Sequence, residues 1–145
     1  QQASELGATI TDAKTLLRES DVISNHMNLT AENRHFFDDA GFAAMEKHPI
    51  FLNVSRGGSV DEAALVRALD NGLIRAAGLD VLEAEKPDLE NCALIGRENV
   101  ILTPHAAFYS ARSIEALQRM SCHNLTDCLT GNRAHAFKIV NGVSI

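Results

Sequence analysis

Ile50-Phe51-Leu52-Asn53-Val54-Ser55-Arg56-Gly57-Gly58-Ser59-Val60-Asp61-Glu62 reads as a strand, a turn and the start of a helix. The apolar run from Ile50 to Val54 suits a strand of a parallel sheet covered on both faces. Ser55 to Ser59 is the turn beyond its carboxyl end, where two glycines allow left-handed backbone angles or a close approach to a ligand. Asp61 and Glu62 stand where the first turn of a helix favours acids. Ala64, Leu65, Ala68 and Leu69 form the buried stripe of that helix, which Asn71-Gly72 ends.

Working outward, the same alternation recurs on both sides. Thr11-Asp12 followed by Ala13, Leu16 and Leu17 predicts a short capped helix ending near Ser20. Asp21 to His26 is a short strand with a polar end. The polar loop Leu29 to Asn33 then leads to a helix whose apolar face is Phe36, Phe37, Ala40, Phe42, Ala43 and Met45, with Gly41 as a potential break and Lys47-His48-Pro49 as its end. Downstream, Ala76 to Val81 is a buried strand that includes an acid, Asp80, and Asn99 to Thr103 is the last clear strand, stopped by Pro104 before His105. Ser110 or Ser113 caps a long final helix with Ile114, Leu117, Met120, Leu125 and Leu129 on one stripe up to Gly131, and Ile139 to Val143 is a short extended tail. Helix alternating with strand predicts an α/β fold: a doubly wound parallel sheet with right-handed crossovers and helices on both faces.

Composition narrows the function. A chain of 145 residues suits a single domain with a core of its own. Thirteen Lys and Arg against nineteen Asp and Glu give a net charge of −6, with no basic run, which argues against nucleic acid as a partner. No apolar run approaches the ~20 residues that span a bilayer, and no secretion signal opens the chain, so no membrane partner and a cytoplasmic location are expected. Cys92, Cys122 and Cys128 make no CxxC pair and read as small buried hydrophobes, and the six histidines show no metal-ligand spacing, so no metal is expected.

Asn25-His26, Arg56, Asp80 and His105 each lie at or just past the carboxyl end of an expected strand, where open α/β sheets bind their ligands. Arg56 reads as a bidentate clamp for a carboxylate or a polariser of a carbonyl, or else as a surface arginine in a glycine turn. His105 reads as a general acid or base, or as a loop histidine bonded to backbone. Glu85 either orients His105 or is one solvated acid beside Glu83 and Asp88. His26 is structural or lines the cleft. Asp80, continuous with a buried strand, needs hydrogen-bond partners.

Asn53 to Glu62, Ala77-Gly78-Leu79-Asp80-Val81 with Glu85, and Thr103-Pro104-His105 together resemble, in this order, the D-isomer-specific 2-hydroxyacid dehydrogenases. The resemblance runs from about Leu6 to Val143 and includes Ser20 to His26 and Leu29-Thr30. It implies a Rossmann-like fold and hydride transfer between NAD or NADP and a 2-hydroxy or 2-keto acid. It also implies the roles: Arg56 holds the substrate carboxylate and keto oxygen, His105 exchanges a proton with that oxygen, and Glu85 pairs with His105. Asp80 matches the residue that reads the nicotinamide carboxamide, and Met27, Val54 and Ser55 fall where loops line the cofactor. A homodimer follows from the family's habit and from the unpaired sheet edge expected here.

Departures from the family pattern shape the expectations further. Met27-Asn28 and Glu85-Lys86 each lack a usual proline, and no GxGxxG occurs. The chain is therefore expected to be the C-terminal part of a longer enzyme. Residues 1–131 would be the C-terminal part of a dinucleotide-binding domain and 132–145 a tail returning toward a substrate domain. Alone, it is expected to bind cofactor weakly and to turn over nothing measurable. The competing reading is a dehydrogenase-like module, of the corepressor type, that senses NAD(H) and binds a protein.

Overall fold

The structure, a computed structural model, describes residues 2–132, which divide into two compact units on either side of the step from Ala107 to Phe108. The first unit runs α1 (Gln2–Glu5), α2 (Ala13–Glu19), β1 (Val22–Asn25), α3 (Asp39–Ala43), β2 (Ile50–Asn53), a 3-10 turn (Gly57–Ser59), α4 (Glu62–Asp70), β3 (Ala76–Leu79) and β4 (Val100–Leu102). The strands pair in the order β1-β2-β3-β4, all parallel, with Ile23 beside Phe51, Phe51 beside Ala77 and Ala77 beside Val100. The expected α/β parallel sheet is borne out. Because every strand runs the same way, all four carboxyl ends lie along one edge.

Alternation along each strand decides which face is covered. Ile23, Phe51, Ala77 and Leu79 point to a core shared with Leu17 of α2, Phe42 of α3, and Ala64, Leu65, Ala68 and Leu69 of α4. Phe37, Phe42 and Phe51 meet edge-to-face or tilted, with ring centroids 4.8 to 6.3 Å apart. The opposite face differs from the expectation of cover on both sides. Val22, Ile50 and Ile101 remain 54%, 37% and 71% exposed, so the described helices of the first unit cover only one face.

The helix ends follow from capping chemistry. Asp12, rather than Thr11, accepts from Thr15 N–H at 2.9 Å to start α2, and Asp61 accepts from Ala64 N–H at 3.0 Å to start α4. α4 stops at Asn71, with Gly72 at φ 67°. The expected helix from Phe36 to Met45 is shorter. Phe37 instead bridges Val60 in parallel, α3 begins only after Asp38 caps Gly41 N–H, and Ala40 and Ala43 face solvent. Gly41 lies inside α3 and does not break it.

Gly57 and Gly58 do not take left-handed angles. Gly57 is needed for a different close approach: a Cβ there would lie 1.8 Å from the Leu82 carbonyl oxygen. The loops beyond β2 and β3 thus touch backbone to backbone.

In the second unit, Ser110 caps α5 (Ala111–Leu129), accepting from Ser113 N–H at 3.1 Å, and Gly131 follows at φ 76°. Leu117, Met120, Leu125 and Leu129 are exposed along the helix. Burial of the cysteines is corrected: all three are free thiols, Cys122 exposed and Cys92 and Cys128 half-buried. The extended tail from Ile139 to Val143 lies outside the described residues.

Candidate active site

The edge formed by the strand ends carries Asn25, Asn53 with Arg56 beyond it, Asp80, and His105 beyond β4. The ladder continues past the strands, for Asp80 N–H donates to Asn53 C=O at 2.9 Å and Thr103 N–H to Leu79 C=O at 2.9 Å. Backbone pairing therefore sets the spacing between the loops.

Asp80 is 4% exposed and meets the expectation that a buried acid needs partners. Thr103 Oγ1–H and Ala106 N–H donate to its Oδ1 at 2.5 and 2.8 Å, and Ala107 N–H donates to its Oδ2 at 2.8 Å. Burial alone would raise its pKa. The Thr103 hydroxyl, the Ala107 and Ala106 amides and nearby His105 outweigh that and hold the carboxyl below its ordinary 3.8. Asp80 thus ties down both sides of His105, which sits at φ 53°, a left-handed angle that costs a non-glycine residue energy unless its surroundings hold it.

Across from that loop, Glu85 Oε2 lies 4.0 Å from His105 Nδ1, with both side chains largely open to solvent. Glu83 is committed elsewhere. Its Oε1 accepts from Arg34 Nη2 at 2.7 Å and pairs with His35 Nε2 at 2.6 Å, and its N–H donates to the Glu62 carboxylate. Of the two acids, Glu85 faces His105. A cavity of about 620 Å³ opens beside this pair, walled by Asp80, Thr103, Leu94, Val100 and Leu102. Arg56 does not line this cavity.

The Arg56 guanidinium is exposed and donates to Ser55 C=O at 2.8 Å, with no ion pair among the described residues. Its head is thus open to a ligand, while its backbone is fixed. Ser55 Oγ–H donates to Met27 C=O at 2.5 Å, and Met27 N–H donates to Asn25 Oδ1 at 3.0 Å, which joins the loops beyond β1 and β2. Val54, 39% exposed, stands on the same edge. His26 Nε2 meets Ser24 Oγ at 2.8 Å on the surface and faces no other site residue among the described hydrogen bonds.

Sequence reasoning passed over Asn53, Ser59, and the Arg34–His35–Glu83 cluster. The signal for the first was present. Asn25 and Asn53 occupy the last place of their strands on the same parity as Ile23 and Phe51, so each amide had to be buried.

Met27, Val54 and Ser55, beyond β1 and β2, and Asp80 and His105, beyond β3 and β4, all lie at the carboxyl-end edge of the sheet, where a nicotinamide ring would have to sit. The GxGxxG motif that takes a pyrophosphate does not occur in the sequence.

The family model "D-isomer specific 2-hydroxyacid dehydrogenase, NAD binding domain" matches residues 1–107. The chain is 43% identical over 121 residues to a glyoxylate reductase of Aeropyrum pernix, covering 83% of this chain and 36% of that protein. It is 39% identical over 132 residues to glyoxylate/hydroxypyruvate reductase B of Klebsiella pneumoniae, covering 91% and 41%. A D-lactate dehydrogenase of Aquifex aeolicus, solved with NAD and lactic acid, superposes with a TM-score of 0.85 at 31% identity, covering 97% of this chain and 47% of that one. The chain spans about two fifths of the length of the curated relatives it matches. With a parallel sheet of this order and a family match over 107 of its residues, the chain belongs to the D-isomer specific 2-hydroxyacid dehydrogenases, within their NAD-binding domain.

Proposed function

We propose that this chain serves an oxidoreductase that transfers a hydride between NAD or NADP and a small 2-hydroxy or 2-keto acid. The observation that carries the reading is the Glu85–His105 pair on the edge that also bears Arg56. Relatives named for glyoxylate and hydroxypyruvate support a two- or three-carbon substrate.

The bound cofactor supplies the hydride, and this chain's residues handle the oxygen that gains or loses charge. Arg56, a planar fork of donors, holds the substrate carboxylate and the keto oxygen. His105 gives its proton to that oxygen on reduction and takes it back on oxidation. Glu85, whose carboxylate lies 4.0 Å from Nδ1, pairs with the imidazole and orients it. Positive charge and a proton donor at the oxygen are what hydride delivery to a carbonyl requires. Met27, Val54, Ser55 and Asp80 line the nicotinamide end. Asp80 serves in addition as the anchor of the His105 loop.

Residues 1–131 act as the C-terminal part of a dinucleotide-binding domain and 132–145 as a tail toward the substrate domain. The working assembly is a cytoplasmic homodimer. Among the described residues, no helix is long and apolar enough to cross a membrane. The corepressor-type module is the weaker reading, since the relatives compared carry the names of reductases and dehydrogenases.

The test is a hybrid in which residues 1–145 replace the matching part of the Aeropyrum pernix glyoxylate reductase. NADH-dependent reduction of glyoxylate or hydroxypyruvate by the hybrid supports the reading. Cofactor binding without turnover of glyoxylate, hydroxypyruvate or pyruvate supports the regulatory module instead.

A further inference from the structure

Three polar side chains sit where an apolar core would be expected. Asn25, Asn53 and Ser59 are 3%, 1% and 0% exposed, at the end of the covered face of the sheet. Among the described residues, no buried side-chain nitrogen or oxygen lacks a hydrogen-bond partner. Asn25 Nδ2 donates to Asn53 Oδ1 at 3.0 Å and to Ser59 Oγ at 2.7 Å, and its Oδ1 accepts from Met27 N–H. Asn53 Oδ1 accepts from Ser55 N–H at 3.2 Å. Asn53 Nδ2 and Ser59 Oγ both donate to a single acceptor, the Arg56 carbonyl, at 3.1 and 2.7 Å.

Stability alone does not call for this arrangement. Replacing all members of a buried hydrogen-bonded set by apolar groups of like shape is close to neutral, whereas a partly satisfied set is costly. What the network does that leucines would not is hold backbone. It grips Met27, Ser55 and Arg56, which belong to the two loops flanking the anion-binding part of the edge. The Arg56 side chain itself is exposed, so the direction of its guanidinium depends on how firmly its own peptide is held.

We propose that Asn25, Asn53 and Ser59 are positioning residues for Arg56, a buried amide–amide–hydroxyl chain that fixes its carbonyl and so aims its guanidinium at the substrate carboxylate. This rests on the reading of Arg56 as the carboxylate clamp. It adds residues that never touch substrate, and it predicts that substrate affinity is set from inside the core.

The experiment uses the chain itself, labelled with nitrogen-15 and titrated with sodium oxalate, a small dicarboxylate that mimics a 2-keto acid. The Arg56 Nε–Hε signal reports binding, and amide exchange at Met27 and Ser55 reports how firmly the loops are held. Ser59→Ala removes one donor to the Arg56 carbonyl. Asn53→Asp keeps the acceptor for Asn25 and Ser55 but turns the other donor into an oxygen. Asn25→Leu keeps the core filled and stands in should either of those fail to fold. Leu17→Ala, a core truncation in α2 away from this network, is the control for lost stability. The network variants are expected to bind oxalate about tenfold more weakly, the worth of roughly one hydrogen bond. They should also exchange the Met27 and Ser55 amides about tenfold faster, while Leu17→Ala leaves the affinity unchanged. Wild-type affinity in the network variants, or an equal loss in Leu17→Ala, overturns the proposal. If the wild-type chain binds no oxalate, the clamp reading of Arg56 falls instead. The exchange rates then judge the network separately: acceleration confined to its variants upholds loop-holding, and its absence refutes it.

Discussion

Gly57→Ala is the sharpest perturbation the fold offers, because one methyl group would be placed between the loop that carries Arg56 and the loop that leads to Glu85. The added Cβ falls 1.8 Å from the Leu82 carbonyl oxygen, 2.1 Å from its carbon and 2.7 Å from Glu83 nitrogen. These are backbone atoms, so no side chain can swing aside. Ordinary contact begins at 3.4 Å, which requires the two loops to part by about 1.6 Å. Gly57 has no positive φ, so alanine brings no backbone strain and gains about 0.4–1 kcal/mol from a stiffer unfolded chain. Overpacking typically costs about 1–3 kcal/mol, leaving a net loss of roughly 1–2 kcal/mol. The effect on chemistry is larger, since a misplacement of about 1 Å in a site costs on the order of 10²-fold in rate. Urea unfolding of the chain gives the first quantity and NADH-linked glyoxylate reduction by the hybrid gives the second. A variant within about 0.5 kcal/mol of wild type in stability and with undiminished turnover would refute the claim that contact between these loops sets the site.

Asp80→Asn should destabilise the chain by about 1–3 kcal/mol at neutral pH, because the amide hydrogens oppose donors that now point at a carboxylate. Since the folded carboxyl titrates below 3.8, its contribution is full above 3.8 and is lost as pH falls through the lower folded value. Urea titrations across that window should show a shallower acid decline in the variant; parallel declines would show that the Asp80 hydrogen bonds do not stabilise the fold. Glu83→Gln should cost about 1 kcal/mol or less, its partner Arg34 being half-exposed. In the hybrid it should leave turnover near wild type while Glu85→Gln lowers it; the reverse order would make Glu83 the partner of His105. Isothermal titration of the chain with NADH should give binding weaker than micromolar, because the GxGxxG motif that takes a pyrophosphate does not occur in the sequence. Micromolar affinity would show that the ring end suffices.

Much of the architecture is legible in the sequence because local signals agree there. The four strands are short apolar runs bounded by polar or proline punctuation, and α4 has an acid cap, a stripe at helical spacing and an Asn-Gly stop. Where a tertiary contact decides, the sequence is ambiguous. Phe36 and Phe37 carry a helical pattern with Phe42 and Met45. Pairing of Phe37 with Val60 instead pulls the segment into extended form, and the helix waits for Asp38. The site divides in the same way. Arg56, Asp80 and His105 show themselves as polar residues beyond apolar strands, and Asp80 finds the partners its burial demands. That Gly57 serves backbone contact rather than ligand approach, or that Glu83 is held by Arg34 and His35, depends on residues about 25 to 49 positions apart and is invisible to any local pattern.

In the proposed reaction His105 delivers the proton while Arg56 holds the acid being reduced. Single-turnover mixing of the NADH-loaded hybrid with glyoxylate, comparing wild type with His105→Gln, tests it most directly. A slowing of about 10²- to 10⁴-fold in NADH oxidation, with cofactor binding unchanged, is predicted. Oxidation of NADH at the wild-type rate by His105→Gln would contradict it.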